Sequence, residues 1–185
     1  MLNFDKCLLE NLYTWQDIID FATYRPYEEF EIIIPQDNEW GFKKIVPEDG
    51  LQLQQLLQLE DITVVVTSGD RMNPQLERLY HHLVFNNPDV ELLGFHLYAS
   101  NSSKSVSFTP HADKPHNIIL QIEGETEWIR YNEFSSVLGK TDTPEMLTEA
   151  EHKILQPGEM IYLPSRQYHC AKTFMPRLSL SILYI

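Results

Sequence analysis

A chain of 185 residues with 27 acidic against 14 basic side chains carries a net charge of −13, which repels phosphate backbones and argues against a broad nucleic-acid-binding surface. Two cysteines, Cys7 and Cys170, are too few for a disulfide framework, and no window reaches the length of a membrane span. The length suits one domain, 1–185, with a sizeable core, and the composition is that of a soluble, cytoplasmic protein.

The first residues, MLNFDKCLLENLYTW, are acidic where a signal peptide needs a basic start. In TWQDIIDFATYR, Trp15, Ile18, Ile19 and Ala22 recur at helical spacing behind Thr14 as N-cap. FEIIIP (30–35) reads as a buried strand closed by proline. Residues 49–60 are helix-like, and DITVVVTSGD reads as a strand followed by a glycine turn. Residues 73–89 place Leu76, Leu79, Tyr80, Leu83 and Val84 on one face of a helix that ends at Asn-Asn-Pro.

From residue 91 the texture changes. ELLGFHLYAS, SVSFT, HNIILQIEG, ETEWIRYN, HKILQPG, EMIYLPS, YHCAKT and RLSLSILYI are short strand candidates set apart by Gly, Pro, Asn and Ser. Helices leading into many short strands indicate an α+β, mainly β domain. The matching architecture is a double-stranded β-helix, or jelly roll, over 91–185, with 1–90 as a flanking region of helices and strands. Residues 132–153 interrupt the strands with acidic and turn-forming residues, and read either as a lid over a site or as a solvated excursion.

His111 and Asp113 stand two apart at the mouth of an apolar run, so on a strand they project to one face. An imidazole and a carboxylate suit a first-row divalent metal, and PGEMIYLPSRQYHC offers His169 as a third ligand. Two histidines and one carboxylate leave coordination positions open. H-x-D alone arises by chance in many chains, and His169 also reads as a half-buried strand residue. His81 and His82 fall on a helix, one exposed and one packed. His96 reads as a structural strand residue, and His116 and His152 as turn or surface residues.

HADKPHNIILQIEGETEW and LQPGEMIYLPSRQYH, with Asp113 and His169 separated by 56 positions, resemble the JmjC-type branch of the cupin superfamily of Fe(II)/2-oxoglutarate oxygenases. That branch includes protein hydroxylases. The resemblance covers residue 91 to the end. It implies an iron-dependent hydroxylase with His111, Asp113 and His169 as metal ligands and 2-oxoglutarate as cosubstrate. Its substrate would be a protein, peptide or small molecule. Asn117 matches a position used near the cosubstrate in some members, Gly124 is the hairpin glycine, and Trp128 reads as core.

One position departs from the family pattern. Many members carry Lys or Arg two residues after the glycine to hold the distal carboxylate of the oxo acid, and this chain has Thr126. Arg177, eight residues after His169, begins an R-L-S run similar to the Arg-x-Ser of other 2-oxoglutarate oxygenases. The resemblance thus assigns that carboxylate to Arg177 and Ser179, a planar guanidinium being suited to it. Arg130 and Lys172 are fallback cations, and Thr126, Thr109 and Tyr98 are neutral donors. Two other readings stand beside this one: a cupin dioxygenase or isomerase using the same triad without an oxo acid, and a non-catalytic jelly-roll module.

Overall fold

The computed structural model describes residues 9, 11–24, 27–36, 41–136 and 146–185. Among the described residues, three α-helices, α1 (Trp15–Tyr24), α2 (Gly50–Leu56) and α3 (Pro74–Asn86), are interspersed with the first three strands, β1 (Phe30–Pro35), β2 (Phe42–Ile45) and β3 (Thr63–Val66). Eight further strands follow: β4 (Leu92–Ser100), β5 (His111–Ala112), β6 (His116–Glu123), β7 (Thr126–Phe134), β8 (Glu149–Leu155), β9 (Met160–Leu163), β10 (Gln167–Thr173) and β11 (Arg177–Tyr184). They form two antiparallel sheets, one of seven strands in the order β2-β1-β3-β4-β11-β6-β9 and one of four in the order β5-β10-β7-β8. This is the expected jelly roll. Strands β1–β3, from the first 90 residues, extend the larger sheet.

The helices start where local chemistry starts them. Thr14 and Asp17 exchange bonds at the head of α1, with Asp17 N–H donating to Thr14 Oγ1 at 3.2 Å and Thr14 N–H to Asp17 Oδ2 at 2.7 Å, a reciprocal cap. Asp49 and Asn73 cap α2 and α3 by accepting from Gln52 and Leu76 backbone N–H groups, and Pro74 occupies the first position of α3. Asn86 and Asn87 end α3 by donating from their side chains to the carbonyls of His82 and Leu83.

The helices cover one face of the larger sheet. Ile18, Phe21, Leu53, Leu76, Leu79 and Leu83 pack with Phe95, Leu97 and Ala99 of β4, Ile118 and Leu120 of β6, and Leu178, Leu180 and Ile182 of β11 in one core. Side chains alternate along a strand, so Arg177, Ser179 and Ser181 turn to the opposite face, into the space between the sheets. Tyr98 and Ser100 of β4 and Asn117, Ile119 and Gln121 of β6 turn the same way. A second, smaller core of Ile119, Trp128, Leu155, Ile161, Leu163 and Ala171 joins the sheets, and Trp128 is core as expected.

Three local expectations are corrected. SVSFT (105–109) is not a strand, because its polar groups are taken up by side-chain bonds to the start of β3: Thr63 Oγ1 donates to the Val106 carbonyl at 2.6 Å, and Ser105 Oγ to the Ile62 carbonyl at 2.9 Å. The helix read over 49–60 stops at Leu56, and Asp61 turns the chain into β3 with φ +59°. Val84 lies at the edge of the α3 stripe and is 44% exposed. The short strand β2, F-K-K-I, lacks an apolar run long enough to announce it. Of the proposed excursion, 132–134 belong to β7 and 149–153 to β8; residues 137–145, and with them most of the lid expectation, lie outside the described residues.

Gly124 turns the β6–β7 hairpin with φ +66°, and a Cβ there would stand 2.1 Å from the Pro176 carbonyl oxygen. Backbone conformation and the approach of the chain entering β11 both require glycine. Gly124→Ala should lower stability by about 1–3 kcal/mol, measured by urea denaturation; an unchanged midpoint would show that the hairpin and the β11 entry are not locked together.

Across β7 and β8, His152 Nδ1 lies 3.0 Å from Glu127 Oε1 and its Nε2 lies 2.6 Å from Glu149 Oε2. These two bonds raise the pKa of His152 above its ordinary value. The folded state therefore binds this proton more tightly than the unfolded chain, so the contribution is complete below the ordinary histidine range and fades as pH rises through the raised value. The Tm difference between wild type and His152→Gln should shrink from pH 6 to pH 9; a pH-independent difference would overturn the assignment.

Candidate metal centre and its cavity

His111, Asp113 and His169 converge at the junction of the two sheets, each offering one ligand atom, with the three atoms within 4.8 Å of one another. His111 on β5 pairs directly with His169 on β10, and Asp113 follows β5 by one residue. Two local features aim these groups. The β10 register shifts between Gln167 and His169 where it meets β7, a bulge that re-aims side chains. Arg166, at φ +66° just before β10, donates its backbone N–H to the Asp113 carbonyl at 2.6 Å and fixes the turn that carries the carboxylate.

The histidines have defined orientations. His111 Nδ1 lies 2.8 Å from the Thr109 carbonyl and His169 Nδ1 lies 2.9 Å from the Gln167 carbonyl. A carbonyl can only accept, so each Nδ1 donates and each Nε2 is the ring atom left to face the carboxylate or a metal. Those Nε2 atoms lie 3.9 Å and 3.5 Å from the Asp113 carboxylate oxygens. Burial, reinforced by the neighbouring His169, pushes the His111 pKa down and keeps it neutral. Burial alone would raise Asp113, but the bond to His169, the nearby imidazoles and the Asn117 amide outweigh it and hold its carboxyl at about 2. A lowered His111 and an ionised Asp113 favour the deprotonated forms that bind a divalent cation.

Asn117 of β6 is buried and donates from Nδ2 to Asp113 Oδ2 at 2.7 Å, orienting the carboxylate. Tyr98, Asn117, Ile119, Trp128, Arg177 and Ser181 share one cavity with the three ligand groups. Arg177 is 2% exposed. Its Nη1 donates to Thr126 Oγ1 at 3.1 Å, its Nε to Ser100 Oγ at 3.3 Å and its Nη2 to Ser107 Oγ at 3.4 Å. Burial lowers its pKa to about 10, so it stays cationic at neutral pH. No ion pair joins it to a carboxylate among the described residues, and the buried Trp128 indole N–H also has no partner there. A cavity with a lone cation, a spare donor and three metal-type ligands is complementary to a metal chelated by a small carboxylate compound.

The expected site residues therefore divide. His111, Asp113, His169, Asn117, Tyr98 and Arg177 line one cavity, and Thr126 stands beside it as the acceptor for Arg177. Ser179 does not join them: its hydroxyl donates to Gln121 Oε1 at 2.9 Å, and the hydroxyls around the guanidinium are Ser100, Ser107 and Thr126. Of the fallback cations, Arg130 is paired with Glu151 and donates to the Tyr162 carbonyl at 3.2 Å, and Lys172 lines a separate groove. His116 is the first residue of β6, stacked between Tyr162 and Tyr184, rather than a turn residue.

His96, expected to be structural, instead lines a larger open cavity of about 450 Å³ together with Glu31, Phe42, Lys44, Thr67, Phe108 and the triad's His111 and Asp113. Its position on β4, alternating with the buried Phe95 and Leu97, is the signal that places it on the interior face.

A jelly roll that gathers His/Asp/His beside a buried cation defines a cupin-like metal-centre fold. Residues 71–184 match the JmjC domain family, and the chain belongs to that family. It is 26% identical over 96% of its length to the bifunctional lysine-specific demethylase and histidyl-hydroxylase NO66 of Aedes aegypti, and 29% identical over 72% to ribosomal oxygenase 2 of Bos taurus. It spans 27% and 30% of those two curated relatives. Among solved structures it shares the fold of YcfD, a ribosomal oxygenase from Escherichia coli in complex with cobalt and 2-oxoglutarate. The TM-score is 0.69 at 16% identity, covering 94% of this chain and 44% of that one.

Because Asn117 orients Asp113, Asn117→Ala should weaken Co(II) or Mn(II) binding by about 10-fold, measured by isothermal titration calorimetry, with secondary structure retained. Unchanged affinity would show that the bond does not support a ligand.

Proposed function

We propose that this protein is an Fe(II)- and 2-oxoglutarate-dependent hydroxylase in which His111, Asp113 and His169 hold the metal and Arg177 holds the distal carboxylate of the oxo acid. One observation carries the reading: a buried guanidinium, in no ion pair among the described residues, shares a single cavity with the three ligand groups. Iron with the oxo acid bound would activate dioxygen and supply the oxygen atom inserted into a C–H bond.

The chain's own residues do the rest. Thr109 and Gln167 carbonyls hold the imidazoles with Nε2 toward the metal, and Asn117 holds the carboxylate. Arg177 offers a planar fork to one carboxylate, with Thr126 and Ser100 fixing its orientation. Tyr98 lies in the same cavity as a neutral phenol, its pKa pushed up by burial and by Asp113. Ile119, Trp128 and Ala171 close the inner end against water.

Thr126 in place of the usual Lys or Arg is the feature that a cupin reaction without an oxo acid would explain; as the acceptor of the Arg177 Nη1 bond, it fits the oxo-acid reading instead.

The substrate belongs in the 450 Å³ cavity, which is within the size range of ligand sites. A protein or peptide side chain is the substrate class that the names of the relatives suggest, and the net charge of −13 suits a basic partner. The buried free thiol of Cys170 fits a reducing compartment such as the cytoplasm. We read residues 1–185 as one domain, with the metal and cosubstrate groups supplied from residue 91 onward.

Anaerobic addition of Fe(II) and then 2-oxoglutarate should produce a visible metal-to-ligand charge-transfer band that requires both. Asp113→Ala should abolish iron binding with the fold intact. Arg177→Gln should weaken the oxo acid by about 100-fold with iron affinity retained. Equal weakening of iron and oxo acid by Arg177→Gln would overturn the role given to that residue.

A further inference from the structure

The cavity shared by the triad and Arg177 is small. Its space for water-sized molecules is about 20 Å³, enough for about one water. A keto diacid spanning from the metal to Arg177 is several times larger, so a wall must move to admit it. Most walls are held in strand ladders: Tyr98 in β4, Asn117 and Ile119 in β6, Trp128 in β7, His169 and Ala171 in β10, Arg177 and Ser181 in β11. His111 belongs to β5, and Asp113 is tied through its carbonyl to Arg166. The remaining wall, Ser107 and Phe108, belongs to no strand or helix.

Phe108 also faces both neighbouring open spaces. It lines the 450 Å³ cavity on one side and a groove of about 210 Å³ with Ala171, Lys172 and Thr173 on the other. Its ring makes edge contacts, 5.6 Å from Phe42 at 89° and 5.6 Å from His111 at 65°. Upstream, Ser105 and Val106 are anchored by short bonds to Ile62 and Thr63. Ser107 is held to the interior by the longest of the three Arg177 bonds, 3.4 Å from Nη2.

We propose that Phe108 is the door through which the oxo acid enters, and that the Arg177–Ser107 bond is its latch. The proposal rests on the assignment of Arg177 to the oxo-acid carboxylate. A carboxylate arriving at the guanidinium accepts from Nη2 far more strongly than the Ser107 hydroxyl at 3.4 Å does. Transient breaking of this long bond admits the ligand, and the bound carboxylate then takes the latch's donor and keeps the segment that carries Phe108 free. Because the same ring walls the 450 Å³ cavity, cosubstrate occupancy reshapes the place where the substrate binds.

The test is stopped-flow mixing of the anaerobic Fe(II) protein with 2-oxoglutarate, following the charge-transfer band, with circular dichroism to verify each variant. Phe108→Ala should raise the association rate by about 10-fold and Phe108→Trp should lower it, while Ser107→Ala should raise it several-fold and tighten binding modestly. Arg177→Gln distinguishes the two levels of the argument. If it loses oxo-acid binding while the Phe108 and Ser107 variants associate at the wild-type rate, the door is overturned and the carboxylate assignment stands. If it binds the oxo acid like wild type, the carboxylate assignment falls and the latch with it.

Discussion

A guanidinium taken out of water without a counter-ion is the costliest feature of this interior, and the surrounding structure is arranged to hold it. Removing a charge from solvent costs several kcal/mol after relaxation, and Arg177 recovers part of that through three hydroxyl acceptors. Each comes from a different part of the fold: Ser100 lies directly opposite on β4, Thr126 opens β7 in the other sheet, and Ser107 lies on the connecting segment. β11 is paired on both sides, by β4 and by β6, so the side chain cannot withdraw to solvent by a small strand movement. Neutral acceptors orient the cation and leave its charge uncancelled. On the proposed assignment, that residual charge is what the distal carboxylate of the oxo acid would meet.

The division of β11 into two faces was readable from R-L-S-L-S-I-L, because alternation assigns one face to the helices and the other to the interior. The triad was readable for a related reason: H-x-D at a strand end and His169 after a Pro-Gly turn both need only local geometry. Depth was not readable. Ser179 shares the face of Arg177, but register sets it against Gln121, and the amide takes the hydroxyl. Register likewise, not spacing, brings Ser100 to the guanidinium.

Segment 105–109 shows the same limit from the other side. Its alternating S-V-S-F-T pattern is that of a strand, yet its polar groups are claimed by Thr63 and Ile62, some 40 residues earlier in the chain. Tertiary partners override local pattern where side-chain hydroxyls compete for the backbone. His96 was misread for a milder reason: a strand histidine is usually packed, and only the identity of its neighbours across β4 reveals that it faces an open cavity.

On the proposed assignment, positions 126 and 177 together account for a cation in the cavity of a chain that has Thr126 where the family pattern has Lys or Arg. Thr126 stands where many JmjC-type enzymes carry Lys or Arg, and its Oγ1 is 3.1 Å from Arg177 Nη1. The tip of Arg177 therefore occupies the neighbourhood that a cation projecting from 126 would reach. Two cations there would repel at short range in a poorly solvated space, so the two solutions exclude each other. A small hydroxyl at 126 is then the condition for Arg177 to reach across, since it provides both the space and the acceptor. On the proposed assignment, the positive charge that shares a cavity with His111, Asp113 and His169 is delivered by β11 of the larger sheet rather than by β7 of the smaller one.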